Sequence, residues 1–217
     1  MQPEPDYLQP TDFCDFHHPM IGRYLQKIIN SASSDREKAI AIFHFVREKI
    51  RYRFNYPGTP ASVTLTGGSG NCFNKANLQI AFLRRADIPS AYGVCLIHRE
   101  VFQPLLPEDI YHLVNEPTVH VYACCWLDEH WVAADATIDR HLYETFYRGQ
   151  PGWDYTDWDG RTDYLLPARY LIAHQGFYAS IDLYLLNPPR FWTDQLLTRA
   201  NNFLEDCLRK GKFQPKG

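Results

Sequence analysis

Residues 72–87 read CFNKANLQIAFLRRAD, and this stretch constrains the fold more than any other. Phe73, Ala76, Ile80 and Leu83 fall on one stripe at helical spacing, and Leu78 and Phe82 widen it. So wide an apolar face predicts a central, well-buried helix. Pro89 stops it, and SAYGVCLIH, just beyond, has the β-branched and aromatic character of a strand. Two further β-rich runs, TVHVYACCWLD and WVAADAT, are separated by a few polar residues and read as an antiparallel hairpin.

Other elements frame this centre. The first dozen residues are proline-rich and read as extended chain. In HHPMIGRYLQKIIN, Pro19 suits the first position of a helix, and Ile21, Tyr24, Leu25, Ile28 and Ile29 recur at helical spacing. A second helix opens at Ser34, three residues before Glu37, and places Ile40, Phe43, Val46 and Ile50 on one stripe. Residues 56–70, with two prolines and four glycines, read as a surface loop. Residues 103–117 form a proline-broken connection, and residues 139–180 read as irregular structure with short strands. Trp192, Leu196, Ala200, Phe203 and Cys207 then predict a closing helix that stops at Gly211.

Length and charge limit the partners. At 217 residues the chain fits one domain able to bury a core, and its net charge of -3 offers no basic field for nucleic acid and no polybasic patch for lipid. No apolar run approaches the roughly 20 residues needed to span a bilayer. The opening decapeptide MQPEPDYLQP lacks the basic and apolar regions of a secretory signal, and the six cysteines include no CxxC pair, so the expectation is a cytoplasmic location with reduced thiols.

The thiol at position 72 stands out for its place. A cysteine in the first turn of a helix sits at the positive end of the macrodipole, beside amides with no helical acceptor, and the thiolate is the nucleophilic form. Gly67, Gly68, Gly70 and Asn71 precede it, and glycines there would let a substrate backbone approach without meeting a Cβ. The amides could also bind an oxyanion. The bland alternative is a small apolar residue filling a helix start. A cysteine nucleophile needs a histidine to share its proton and a third group to orient the ring. His120 and Asp135 lie in the two runs of the hairpin, nearly opposite each other on one face if it turns near Leu127 and Asp128. The competing reading makes His120 an aromatic-like strand residue and Asp135 a turn former.

Taken together, GNCFNKANLQIAFLRRADIPSAYGV, HVYACCWLDEHWVAADAT and the preceding AIFHFVREKIRYRF resemble the transglutaminase-like family of papain-type cysteine enzymes, in the order Cys, His, Asp over residues 36–138. The resemblance implies an α+β fold with the nucleophile helix packed on an antiparallel sheet. It places a catalytic core at about residues 19–140 and an extension at about residues 141–217 of one domain. It further implies a Cys72–His120–Asp135 triad acting on an amide or thioester carbonyl, with the acyl group passing to water or to an amine. The substrate would be a peptide, protein or carrier-bound acyl group, with an amine as possible acceptor and no cofactor. Tyr52, Asn55 and Asn71 are further candidates for binding the oxyanion or substrate. The sequence departs from the family pattern at IPSAYGV, which lacks an arginine, and at Phe73, which stands where better-known animal members carry tryptophan. No acidic cluster resembles their calcium sites. The rival reading is a transglutaminase-like interaction module without turnover.

Three features stand apart from the triad. Cys124 and Cys125 must point to opposite faces of their strand, with Cys124 sharing the face of His120 as buried thiol or pocket wall. The scattered histidines show no metal-ligand spacing, so no metal is expected. The tract WDYTDWDGRTDY, residues 153–164, reads as a loop pinned by Trp153 and Trp158, its four aspartates favouring an amine if it borders the site.

Overall fold

A computed structural model of the chain describes residues 3–186 and 193–211. Helix α1 (Pro19–Ile28) begins at the proline as expected, and α2 (Asp35–Lys49) is capped by Ser34, whose hydroxyl accepts from the Glu37 amide at 3.2 Å. The Glu37 carboxylate reaches back one residue further than a capping box requires, accepting from the Ser33 amide at 2.6 Å and its hydroxyl at 2.7 Å. The first residues are not simply extended, because Pro5–Leu8 form a 3-10 turn.

The stretch 56–70 is not a surface loop. Residues Ala61–Gly67 form a short helix, α3, that buries Ala61, Ser62, Thr64 and Leu65. Its proline precedes the helix, and its glycines end it, with Gly68 in the left-handed region at φ 65°. Ser69–Gly70 then pair as strand β2 in parallel with β1 (Arg51–Tyr52). A Cβ on Gly70 would lie 2.5 Å from the Cβ of Asn74, so this glycine permits close packing against the next helix.

That helix, α4 (Cys72–Arg85), is the centre of the molecule: every residue except Arg85 is buried. The apolar stripe understates this, because the buried polar side chains of α4 are mostly tied to backbone carbonyls. Asn77 Nδ2 donates to Phe13 O at 2.8 Å, Lys75 Nζ to Ile50 O at 2.7 Å, and Arg84 to Ser90 O and Ala179 O at 2.9 and 2.7 Å. A buried polar group without such a partner would be costly, so these bonds fix how neighbouring segments wrap the helix.

Helix α4 packs on an antiparallel sheet that curls around it, with α1, α2 and α3 against its other sides. The strand order is β5–β4–β3–β6, formed by β3 (Ser90–Ile97), β4 (Thr118–Leu127), β5 (His130–Ala134) and β6 (Leu171–Tyr178). The fold is thus α+β, with helix α4 packed on the antiparallel sheet as expected. Between β3 and β4 run a 3-10 turn, Arg99–Leu105, and helix α5 (Glu108–Tyr111). Strand β6 and helix α6 (Arg140–Leu142) lie within the region read from sequence as irregular. Strand β6 is mostly exposed at the sheet edge, so no alternation of apolar residues marks it.

After α7 (Asp182–Leu185), helix α8 (Asp194–Lys210) closes the described chain, capped by Thr193 and ended by Gly211 at φ 62°. Trp192, read as part of this helix, lies outside the described residues. Leu197, Ala200 and Leu204 of α8 join Tyr52 and Phe54 in a second apolar cluster. Asn201 locks the contact, its Oδ1 accepting from Phe54 N at 2.9 Å and its Nδ2 donating to Phe54 O at 2.8 Å.

Candidate active site

Cys72 is the first residue of α4, and its surroundings follow from how that helix starts. Asn71 is the cap: its Oδ1 accepts from the amides of Phe73 and Asn74 at 3.0 and 3.3 Å. Asn74 Oδ1 returns to the Asn71 amide at 3.1 Å, completing a capping box made of two uncharged amides. The Phe73 and Asn74 amides are therefore occupied, whereas the Cys72 amide has no acceptor among the described residues. That free N–H lies next to the thiol, where an oxyanion donor is needed.

His120 sits on β4 opposite Cys95. The hairpin turns at Asp128 and Glu129, both in the left-handed region at φ 48° and 67°, and pairs Ala123 with Ala134. The turn sits one residue later than the Leu127–Asp128 centre read from sequence, and this register sets Asp135 diagonal to His120 on the same face, two residues from direct opposition. The pair still meets, His120 Nε2 lying 2.7 Å from Asp135 Oδ2, with both residues almost fully buried at 3 % and 4 % exposure. Asp135 Oδ1 accepts from the Thr137 amide at 3.0 Å, and the Asp135 amide donates to Tyr164 O at 2.9 Å. With Nε2 engaged, Nδ1 is the ring nitrogen left for another partner, and His120 and Cys72 line one small cavity together.

Burial alone would drive the imidazole toward its neutral form. The charge and hydrogen bond of Asp135, aided by Cys72, outweigh it and hold the His120 pKa well above the ordinary value. Burial likewise pushes Asp135 upward, but the charge of His120 and the bonds to His120 and Thr137 win and keep its pKa below normal. The arrangement can therefore hold an imidazolium, paired with an ionised carboxylate, in the cavity that Cys72 lines.

The three weaker candidates separate. Asn71 is consumed by capping and by donating Nδ2 to Asn55 O at 2.7 Å, and Asn55 Nδ2 donates to Ser69 O at 3.2 Å. Both serve local structure. Tyr52 is different, since it borders both cavities that Cys72 lines and feels the charge of Cys72. Its position is fixed by Asp139, whose Oδ2 accepts from the Tyr52 amide at 2.7 Å, and by Lys75, which holds the carbonyl of Ile50. Burial lowers the Lys75 pKa to about 8, against the upward pull of Asp139 and Asp135. The glycines before Cys72 end α3 and admit Asn74, which accounts for them without substrate contact.

The tract 153–164 is pinned, as its tryptophans suggested. Trp158 is 3 % exposed against Phe43 and Trp153 stacks on Tyr147 at 4.0 Å, while the buried Arg47 donates to Thr156 O at 2.7 Å and faces the Tyr155 ring. The tract also borders a cavity of about 180 Å³ that reaches Asp135 and includes Asp154 and Asp163. Cys124 and Cys125 are fully buried on opposite faces of the sheet, in separate apolar clusters. Thr137, Lys75, Asp139 and Arg47 were not read from sequence as site residues. Of these, Thr137 had a local signal, in the run Asp135-Ala136-Thr137, and Asn74 had another, three residues after Asn71.

A model of the transglutaminase-like superfamily matches residues 22–136, more than half of the chain. The chain belongs to the transglutaminase-like superfamily. The matched segment contains all three residues, Cys72, His120 and Asp135. A solved candidate cysteine protease from Cytophaga hutchinsonii is similar at 22 % identity and a TM-score of 0.49, over 63 % of this chain and 43 % of its own. A candidate protease from Parabacteroides distasonis is similar at 12 % identity and a TM-score of 0.38, over 54 % of this chain and 23 % of its own. The chain thus spans less than half the length of either protein. No curated protein matches it. Among the described residues no helix is long and apolar enough to cross a membrane.

Proposed function

We propose that this transglutaminase-like protein is a cysteine enzyme that forms a thioester acyl-enzyme on Cys72. The observation that carries the reading is the buried His120–Asp135 pair at 2.7 Å, with Cys72, the first residue of the central helix, lining the same small cavity as that imidazole. The sulfur of Cys72 attacks an amide or thioester carbonyl, and its proton resides on His120. The tetrahedral oxygen meets the free Cys72 amide, with the Tyr52 hydroxyl as the second donor. His120 Nδ1 then protonates the departing amine or thiol as the carbon–leaving-group bond breaks, and Asp135 keeps the ring oriented. Water or an amine next attacks the thioester, giving hydrolysis or transfer, and returns the proton to the Cys72–His120 pair.

The substrate is a peptide, protein or carrier-bound acyl group. The test is intact mass after incubation with a peptide amide or thioester donor, alongside a thiol-directed acylating probe. An adduct at Cys72, absent in Cys72→Ala, is the expected result. Undiminished labelling of the alanine variant would show that another thiol reacts. The other thiols are poorer candidates: burial pushes Cys14 up to about 11 and also raises Cys95, Cys124, Cys125 and the half-buried Cys207.

A further inference from the structure

Resting on the reading of Cys72 as nucleophile, we propose that the cleft beside it selects an uncharged aliphatic acyl side chain of about leucine size. The cleft has a volume of about 80 Å³, is lined by Cys72, and includes neither His120 nor Asp135 in its lining. Phe102, Leu106, Val114 and Val119 wall it, and Phe73 stacks on Tyr184 with centroids 5.2 Å apart and planes 8° from parallel. Its polar groups are uncharged, Asn115 and Thr118 among them, and no Asp, Glu, Lys, Arg or His lines it among the described residues. A carboxylate or ammonium entering would lose its water and gain no opposite charge. An aliphatic branch loses nothing on entry and removes apolar surface from water.

Size narrows the choice further. A cavity of about 150 Å³ takes a benzene ring, so about half that volume suits a branched aliphatic chain and crowds an aromatic one. A separate cavity that reaches Asp135 has contrasting chemistry, since it carries Asp154 and Asp163 and is not lined by Cys72. The acidic side chains thus lie in that other cavity and not in the cleft at Cys72. The resulting specificity rests on neutrality and volume.

The test uses N-acetyl amino-acid thioesters of N-acetylcysteamine, with leucyl, tryptophanyl, aspartyl and lysyl members, on the full chain. In each, the Cys72 sulfur–carbonyl bond forms as the bond to the thiol leaving group breaks, and that thiol departs with the proton held by His120. Thiol release gives the rate and intact mass locates the adduct. The leucyl thioester is expected to acylate Cys72 more than tenfold faster than the aspartyl and lysyl members, and faster than the tryptophanyl one. Leu106→Ala should shift preference toward the tryptophanyl member, with Leu106→Val read in its place if the alanine variant does not fold.

A charged member reacting within tenfold of the leucyl rate, a tryptophanyl rate above it, or no shift in either variant overturns the proposed specificity. If Cys72 carries the adduct in those cases, its role as nucleophile stands. No adduct from any member, or adducts that persist in Cys72→Ala, overturns both readings.

Discussion

Helices α2 and α4 begin with the same device and put it to opposite uses. At α2 the cap is Ser34 on the surface, with Asp35 and Glu37 in the first turn, so negative charge meets the positive end of the helix. At α4 the box is Asn71 and Asn74, buried at 4 % and 0 % exposure, and the first turn carries no acidic residue. A carboxylate in that turn would offset the dipole beside Cys72. Two neutral amides satisfy the orphan N–H groups without adding charge, and the negative group of the site stands across on β5's end as Asp135, paired with His120. The comparison teaches that a helix start can be capped for stability alone or capped so that its field stays available.

The largest effect should come from giving α4 what α2 has. Asn74→Asp keeps the shape, but it replaces the Nδ2 that donates to Tyr56 O and Pro57 O at 2.9 and 3.1 Å with an acceptor. An uncompensated buried charge of this kind costs about 3–5 kcal/mol, read by urea unfolding. Alkylation of Cys72 by iodoacetamide should slow in the same variant, and a rate equal to wild type would break the electrostatic half of the comparison.

Acidity separates the two ends next. Glu37 has a lowered pKa through its bonds to Ser33, so its contribution is present above the ordinary carboxylate range and lost as pH falls through the lowered value. Asp135, also lowered despite burial, behaves alike at the acid end. His120 has the opposite sign: its pKa is raised, so its contribution is full below about 6.5 and lost as pH rises through the raised value. Unfolding free energy measured against pH should therefore differ between wild type and Glu37→Gln only above the acid limb. The difference between wild type and His120→Asn should shrink on both the acid and the alkaline side.

Removing the caps gives the smallest changes, and their ratio sharpens the contrast. Asn71→Ala leaves the buried amides of Phe73 and Asn74 and the carbonyl of Asn55 without partners, a loss of about 2–3 kcal/mol. Ser34→Ala, at the exposed end, should cost about 0.5–1 kcal/mol. Chemical denaturation reads both, and equal losses would mean that burial adds nothing to the α4 cap.

Much of the site was legible because its parts have local signatures. A helical period of apolar residues located α4 and therefore the place of Cys72, and two alternating runs located the hairpin that carries His120 and Asp135. The register was off by two residues because the turn falls one residue later, at Asp128 and Glu129, which enter the left-handed region without the glycine or asparagine that usually marks it. Helix α3 was hidden because its prolines and glycines, read as a loop, are its borders.

By itself, then, the sequence determined which residue begins the central helix and which strands face it, since both depend on spacings within one element. Only the tertiary structure decided what surrounds them. Tyr52 is held at the cavities that Cys72 lines by Lys75, Asp139 and helix α8, partners distant along the chain. Arg47 and Trp158 hold the tract that covers Asp135. Such contacts leave no period in the sequence, because a buried polar group's partner is set by which backbone carbonyls the packed core brings within reach.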